Sequence, residues 1–383
     1  MIRLDAITKR YANGQVAVDD LHLEVAEGEV CMLIGPSGCG KTTTLKMINR
    51  LVEPTAGRIF LDGDDVTDID PVVLRRRIGY VIQQVGLFPH QTVAENVATV
   101  CRLVGWDRAR SRRRADELLE LVGLDPSVYR ARYPHQLSGG QRQRVGVARA
   151  LGVDPPVLLM DEPFGAIDPI ARDRLQGEFL RLQSAVRKTV VFVTHDLDEA
   201  VRLGDRVAVL RQGGVLEQYA PPAEVLGRPA TPFVADFVGE DRGLKRLSVT
   251  AIGAADLATL PVVGPGDDAE LARRRMDEAG AAWAVVVDGD GTLVGARHRQ
   301  ETGDGSTGGG STDDGGAGGG PGDGVLPVPA SVAAGASLKD ALAALLLTDA
   351  GWVAVLDGIR YCGVLTPDAL YAAIRPPEDT PAS

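Results

Sequence analysis

The stretch GPSGCGKT, residues 35–42, fits the pattern G-x-x-x-x-G-K-[ST]. An apolar run, VCMLI at 30–34, leads into it, and TTTLKMINRL at 42–51 follows with helical spacing. Strand, glycine loop and helix in that order make a phosphate cradle. Gly35, Gly38 and Gly40 let backbone N–H groups curl round phosphate oxygens without a Cβ in the way. Pro36, Ser37 and Cys39 fill the rest of the loop, and the helix turns its positive end toward the same anion. Lys41 is expected to reach the β- and γ-phosphates. The Thr42 hydroxyl is expected to hold Mg²⁺, and Thr43 to touch the α-phosphate.

Working outward, two more apolar runs match the first: VLLM at 157–160 and VVFV at 190–193. Nearly continuous aliphatic residues without polar alternation predict parallel strands covered on both faces, hence an α/β fold. Each run ends in residues able to do chemistry. The first opens into the glycine loop, the second into Asp161 and Glu162, the third into Thr194 and His195. Ligands bind beyond the carboxyl ends of strands in such sheets, so the three ends should converge. Residues 91–132 read as helical, with Leu118, Leu119 and Val122 on the buried side and the arginine cluster before them solvated.

The chain is 383 residues long with a net charge of −11. From Glu301 onward eleven acidic residues face three basic ones, so the acidity is concentrated there and a general preference for nucleic acid is not expected. Cys31, Cys39, Cys101 and Cys362 have no metal-ligand spacing and read as reduced thiols. The opening MIRLDAITKR lacks the apolar core of a signal peptide, and no apolar run approaches the ~18 residues of a membrane span. Any work at a membrane would use spans of another chain.

Beyond Leu244 the texture changes. Two copies of a weak repeat, 69 residues apart, align from Val263 and Val332 through Trp283 and Trp352 to Asp288 and Asp357. Each reads as helix, strand and Asp-Gly turn. Between the copies, residues 301–324 are half glycine and predict a flexible acidic linker. The expected division is 1–240, a nucleotide-binding domain; 245–300 and 325–376, one module each; and 377–383, a disordered tail.

The motifs and their order resemble the ATP-binding subunits of ABC transporters over about residues 1–240, which implies a P-loop ATPase with ATP and Mg²⁺ as its ligands. Tyr11 sits where that family places an aromatic ring against adenine. Gln83, in GYVIQQ, matches the family's glutamine loop, with Gln84 its rival. LSGGQ at 137–141, with Ser138, Gly139, Gly140 and Gln141, matches the signature; Asp168 matches the D-loop and His195 the switch histidine. The resemblance implies Asp161, Thr42 and Gln83 around the metal, Glu162 as the base that activates water, and Gln83 and His195 as sensors of the γ-phosphate. The signature is a second anion site for which one cradle has no use. The resemblance assigns it to ATP held by a second copy, in a head-to-tail homodimer.

The gap between cradle and signature has no sustained heptads, and each motif occurs once, which points away from ABC ATPases acting on DNA or ribosomes. QYAPPAEVLGRPATPFVADFVGEDRGLKRL at 218–247 resembles the end of the ATPase domain in importers of quaternary amines: glycine betaine, proline, carnitine or choline. The repeat resembles a CBS pair, with a degenerate first copy. Integral permease subunits, an extracytoplasmic solute-binding protein and a place on the cytoplasmic membrane face are implied; importers of amino acids or polyamines are the alternative.

Overall fold

The computed structural model describes residues 1–83, 86–165, 167–300 and 325–374. Gln84, the linker 301–324 and the tail 377–383 lie outside the described residues. The chain divides into two compact units, Met1–Arg242 and Gly243–Ser383.

Among the described residues of the first unit, ten strands build two sheets. They are β1 (Ile2–Arg10), β2 (Val16–Val25), β3 (Val30–Ile34), β4 (Ala56–Leu61), β5 (Asp64–Asp65), β6 (Ile78–Val81), β7 (Val157–Asp161), β8 (Thr189–Val193), β9 (Arg206–Arg211) and β10 (Val215–Ala220). A four-stranded antiparallel sheet runs β2-β1-β4-β5, and a six-stranded sheet runs β10-β9-β3-β8-β7-β6. From β9 to β6 the larger sheet is parallel; β10 closes it antiparallel. The three apolar runs are therefore neighbours, β3, β8 and β7, and every residue in them is buried.

The helices are α1 (Lys41–Ile48), α2 (Pro71–Arg76), α3 (Val93–Val97), α4 (Thr99–Leu103), α5 (Arg108–Leu121), α6 (Pro126–Tyr129), α7 (Gly139–Ala150), α8 (Pro169–Val186), α9 (Leu197–Leu203), α10 (Pro222–Gly227) and α11 (Pro232–Val238), with α12 (Arg242–Leu247) at the division. The helical stretch 91–132 is four helices. Asp107 caps α5 and Asp125 caps α6, so turns interrupt the run. Leu118, Leu119 and Val122 are buried as the spacing predicts. Where β6 passes the end of α7, only glycine fits: a Cβ on Gly79 would lie 2.4 Å from Leu158 Cδ2 and 2.6 Å from the Ala150 carbonyl oxygen.

The second unit carries the repeat. Strands β11 (Val262–Val263), β12 (Trp283–Val287) and β13 (Leu293–His298) with helix α13 (Ala269–Ala279) form one copy. Strands β14 (Ser331–Ala333), β15 (Val353–Asp357) and β16 (Arg360–Leu365) with α14 (Leu338–Leu346) form the other, and α15 (Pro367–Ile374) follows it. In each, a parallel pair is followed by a hairpin. The copies exchange their leading segments. Leu247 and Ile252 pack into the core of the second copy, while Leu326 bridges to Ala296 of the first. Trp283 and Trp352, equivalent in the repeat, meet edge to face at 5.9 Å. A first-copy counterpart of α15 would fall largely in 301–324, outside the described residues.

Candidate functional site

The glycine loop hangs between β3 and α1. A Cβ on Gly35 would sit 2.1 Å from the Leu210 carbonyl oxygen, and one on Gly40 2.3 Å from that of Ala17. Both also have φ in the left-handed region, +146° and +102°, so the loop's course depends on them. Pro36, Ser37 and Gly38 form the exposed rim and Cys39 is buried beneath. Lys41 Nζ donates to the carbonyls of Gly35 (2.7 Å) and Pro36 (3.1 Å) across the loop it frames. Thr43 lies in the first turn of α1.

The Thr42 hydroxyl donates to Asp161 Oδ1 at 3.0 Å. Burial pushes the Asp161 carboxyl above its ordinary pKa, and the Glu162 charge adds to this; the Thr42 bond and the ammonium groups of Lys46 and Lys41 oppose it. A hydroxyl and a carboxylate beside a phosphate cradle are hard oxygen donors of the kind Mg²⁺ takes when it arrives with a nucleotide. Among the described residues no cluster of three acidic, His or Cys side chains could hold a metal unaided. The donor set therefore fits an ion that shares its shell with phosphate oxygens.

Glu162 follows the end of β7 with φ +44°, and its N–H donates to the Val193 carbonyl at 3.0 Å. The adjoining strand thus fixes its backbone in a strained conformation. Its Oε2 accepts from Gln83 Nε2 at 3.0 Å and faces His195 Nδ1 at 3.3 Å. Gln83, Glu162 and His195 are one cluster, and Thr42 with Asp161 is another beside it. Gln83 bonds to Glu162, not to the Thr42–Asp161 pair.

Elsewhere, Tyr11 follows β1 at the start of a turn, its ring 5.3 Å from Lys9 Nζ. Ser138 caps α7 in a reciprocal box with Gln141, whose Nε2 also donates to the Tyr129 hydroxyl at 3.1 Å. Gly139 and Gly140 begin the helix, with nothing near a Cβ on Gly139 and Leu175 3.4 Å from one on Gly140. Asp168 caps α8, accepting from the Ala171 N–H at 3.0 Å.

Sequence reasoning missed the clasp between α8 and α9. Buried Glu199 accepts from Gln176 Nε2 at 3.2 Å; Arg172 lies 3.6 Å from Asp196, and Arg202 pairs with Asp173. The clasp ties the segment after His195 to the helix that begins at Asp168. Asp196 caps α9, and nothing in the acidic run around it marks Glu199 as buried. Burial raises the Glu199 pKa; the bonds from Thr194 and Gln176 lower it, Asp196 raises it and Arg172 lowers it. The folded chain therefore holds this proton more tightly than the unfolded chain. Its stability contribution falls as pH rises from the ordinary glutamate range through the folded value. Glu199→Gln is expected to raise Tm relative to wild type by an amount that grows between pH 4 and pH 7. A constant difference across that interval would refute the assignment.

The ABC transporter family model matches residues 18–165. The osmoprotectant import ATP-binding protein OsmV of Salmonella typhimurium is 51% identical over 306 residues, covering 79% of this chain and 80% of that protein. The chain belongs to the ATP-binding proteins of ABC transporters. The glycine betaine/carnitine/choline transport ATP-binding protein OpuCA of Bacillus subtilis is 54% identical over 242 residues, which are 63% of each chain. Among solved structures, the ATP-binding cassette MJ0796, dimeric and bound to ADP and Pi after hydrolysis, is 36% identical with a TM-score of 0.53; the match covers 58% of this chain and 99% of that one. The first unit of this ABC transporter ATPase has the P-loop ABC fold, and the strands of the second are consistent with a CBS-like module. No helix among the described residues is long and apolar enough to cross a membrane.

Proposed function

We propose that this ATPase powers the import of quaternary-amine osmoprotectants: glycine betaine, carnitine, choline or proline. The observation that carries the reading is one edge of the parallel sheet where the cradle, the Thr42–Asp161 pair and the Gln83–Glu162–His195 cluster meet. The naming of relatives at about half identity supports the solute class.

Lys41 exchanges its loop carbonyls for the β- and γ-phosphates and offsets their charge. A magnesium ion held by Thr42 and, partly through water, by Asp161 would draw charge from the transferring phosphoryl group. Glu162 orients the attacking water and takes its proton. His195 bonds the γ-phosphate, and Gln83 leaves Glu162 to report on metal and water. Tyr11 stacks on adenine. Ser138, Gly139, Gly140 and Gln141 of a second copy close the site, with Asp168 beside them, so two chains share two nucleotides head to tail. Integral permease subunits receive the motion through the segment around Gln83 to His90, on the cytoplasmic membrane face, and an extracytoplasmic solute-binding protein delivers the solute. The second unit serves as a tandem CBS pair. No part of the scheme involves nucleic acid.

The test is ATPase activity of the chain reconstituted with its permease and binding protein. Glycine betaine, carnitine, choline or proline should stimulate hydrolysis. Stimulation by other amino acids or by polyamines alone would replace this solute class with that one.

A further inference from the structure

The loop between β7 and α8 carries Glu162, and the loop between β8 and α9 carries His195. At one end the two loops face each other through Glu162 Oε2 and His195 Nδ1, 3.3 Å apart. At the other end a single side chain spans them. Arg172, in the first turn of α8, donates from Nη2 to the Ile167 carbonyl at 3.2 Å and sets Nη1 3.6 Å from Asp196 Oδ2. Ile167 stands at the end of the first loop, and Asp196 follows His195 directly. Asp196 can answer Arg172 because its other oxygen, Oδ1, is the one that accepts from the Asp198 and Glu199 N–H groups. The space that Arg172 borders together with Glu162, His195 and Asp196 is about 10 Å³, which admits no nucleotide. Arg172 therefore reaches the chemistry through the two loops and not by touching the substrate.

The arrangement needs a fork. A lysine ends in one point charge, which can meet the carbonyl or the carboxylate but not span both. Stability alone does not account for a guanidinium here. Its Nε is buried with no hydrogen-bond partner among the described residues, which is a cost. The partly exposed pair with Asp196 is of a kind that contributes little. What the fork supplies is registry between two loops. Glu162 has its own backbone tie to Val193, so release of the fork acts on the His195 loop. We propose that Arg172 is a positioning residue for ATP hydrolysis, holding the His195 loop in register with the Glu162 loop so that the imidazole meets the γ-phosphate. The inference rests on the part given to His195 in the proposed mechanism.

The test is ATP hydrolysis, steady-state and single-turnover, by the full chain assembled with its permease. Arg172→Gln should lower kcat by about tenfold while moving the KM for ATP less than about twofold, the split expected when a reacting group is misplaced and binding is intact. The unchanged KM also reports that the variant is folded. Arg172→Lys keeps the charge without the fork and should stay at least about fivefold below wild type in kcat. His195→Ala should lower kcat by about 10²–10³-fold. Adding Arg172→Gln to His195→Ala should then change kcat by less than about twofold, because a residue that acts through the imidazole has nothing left to position. A merely structural residue would cost the same factor in both backgrounds. Wild-type kcat in Arg172→Gln or Arg172→Lys, or a further loss of about tenfold on the His195→Ala background, overturns the proposal. Wild-type kcat in His195→Ala would instead overturn the part given to His195, and this inference with it.

Discussion

Glu162→Gln is expected to lower steady-state ATP hydrolysis by about 10²–10⁴-fold, the contribution typical of a positioned general base. The amide is nearly isosteric and leaves the backbone tie to Val193 intact, so the strained turn at φ +44° should persist. It also retains an oxygen to accept from Gln83. What it loses is the ability to take a proton. ATP binding should then be unchanged, and the ATP-bound pair of chains should accumulate because its decay depends on hydrolysis. The measurements are turnover with permease present and the sedimentation of the variant with ATP and Mg²⁺. Hydrolysis within about threefold of wild type would move the base elsewhere, with His195 the next group to examine.

Ser138→Arg is expected to abolish ATP-driven pairing and, with it, most hydrolysis. In the proposed head-to-tail pair the long cation would occupy the space that a nucleotide on the other copy enters. The change also removes the cap of α7, which costs about 1 kcal/mol, so a modest fall in Tm is part of the expectation. Nucleotide binding to one chain should remain, because the glycine loop, Lys41 and the Thr42–Asp161 pair belong to a different part of the unit. Ser138→Asn keeps a capping oxygen and serves as the control for the helix. A Ser138→Arg chain that pairs with ATP as wild type does would remove the shared-site account.

Much of the parallel sheet was legible because β3, β7 and β8 are unbroken aliphatic runs, the pattern of strands with both faces covered. That Gln83, Glu162 and His195 lie together was legible for a related reason: they sit at the ends of those runs or in short loops of fixed spacing. The antiparallel sheet of β1, β2, β4 and β5 was not read. Its strands alternate with charged residues, and β1 and β2 shift register several times, which blurs a period of two. The breaks in 91–132 were marked by Asp107, Gly123 and Pro126, but the apolar spacing on either side masked them. The exchange of leading segments in the second unit had no local signal. It depends on which sheet a short segment joins, and that is decided by long-range pairing.

At the bare backbone of Gly79 two elements that lead to the site meet. The strand there delivers Gln83 a few residues later, and the helix pressed on it starts at Ser138. Packed this closely, with Leu158 and the Ala150 carbonyl filling the space, strand and helix leave no room for a side chain at Gly79, and a shift of one presses on the other. If a second copy pairs as proposed, a displacement of that helix reaches the strand that leads to Gln83.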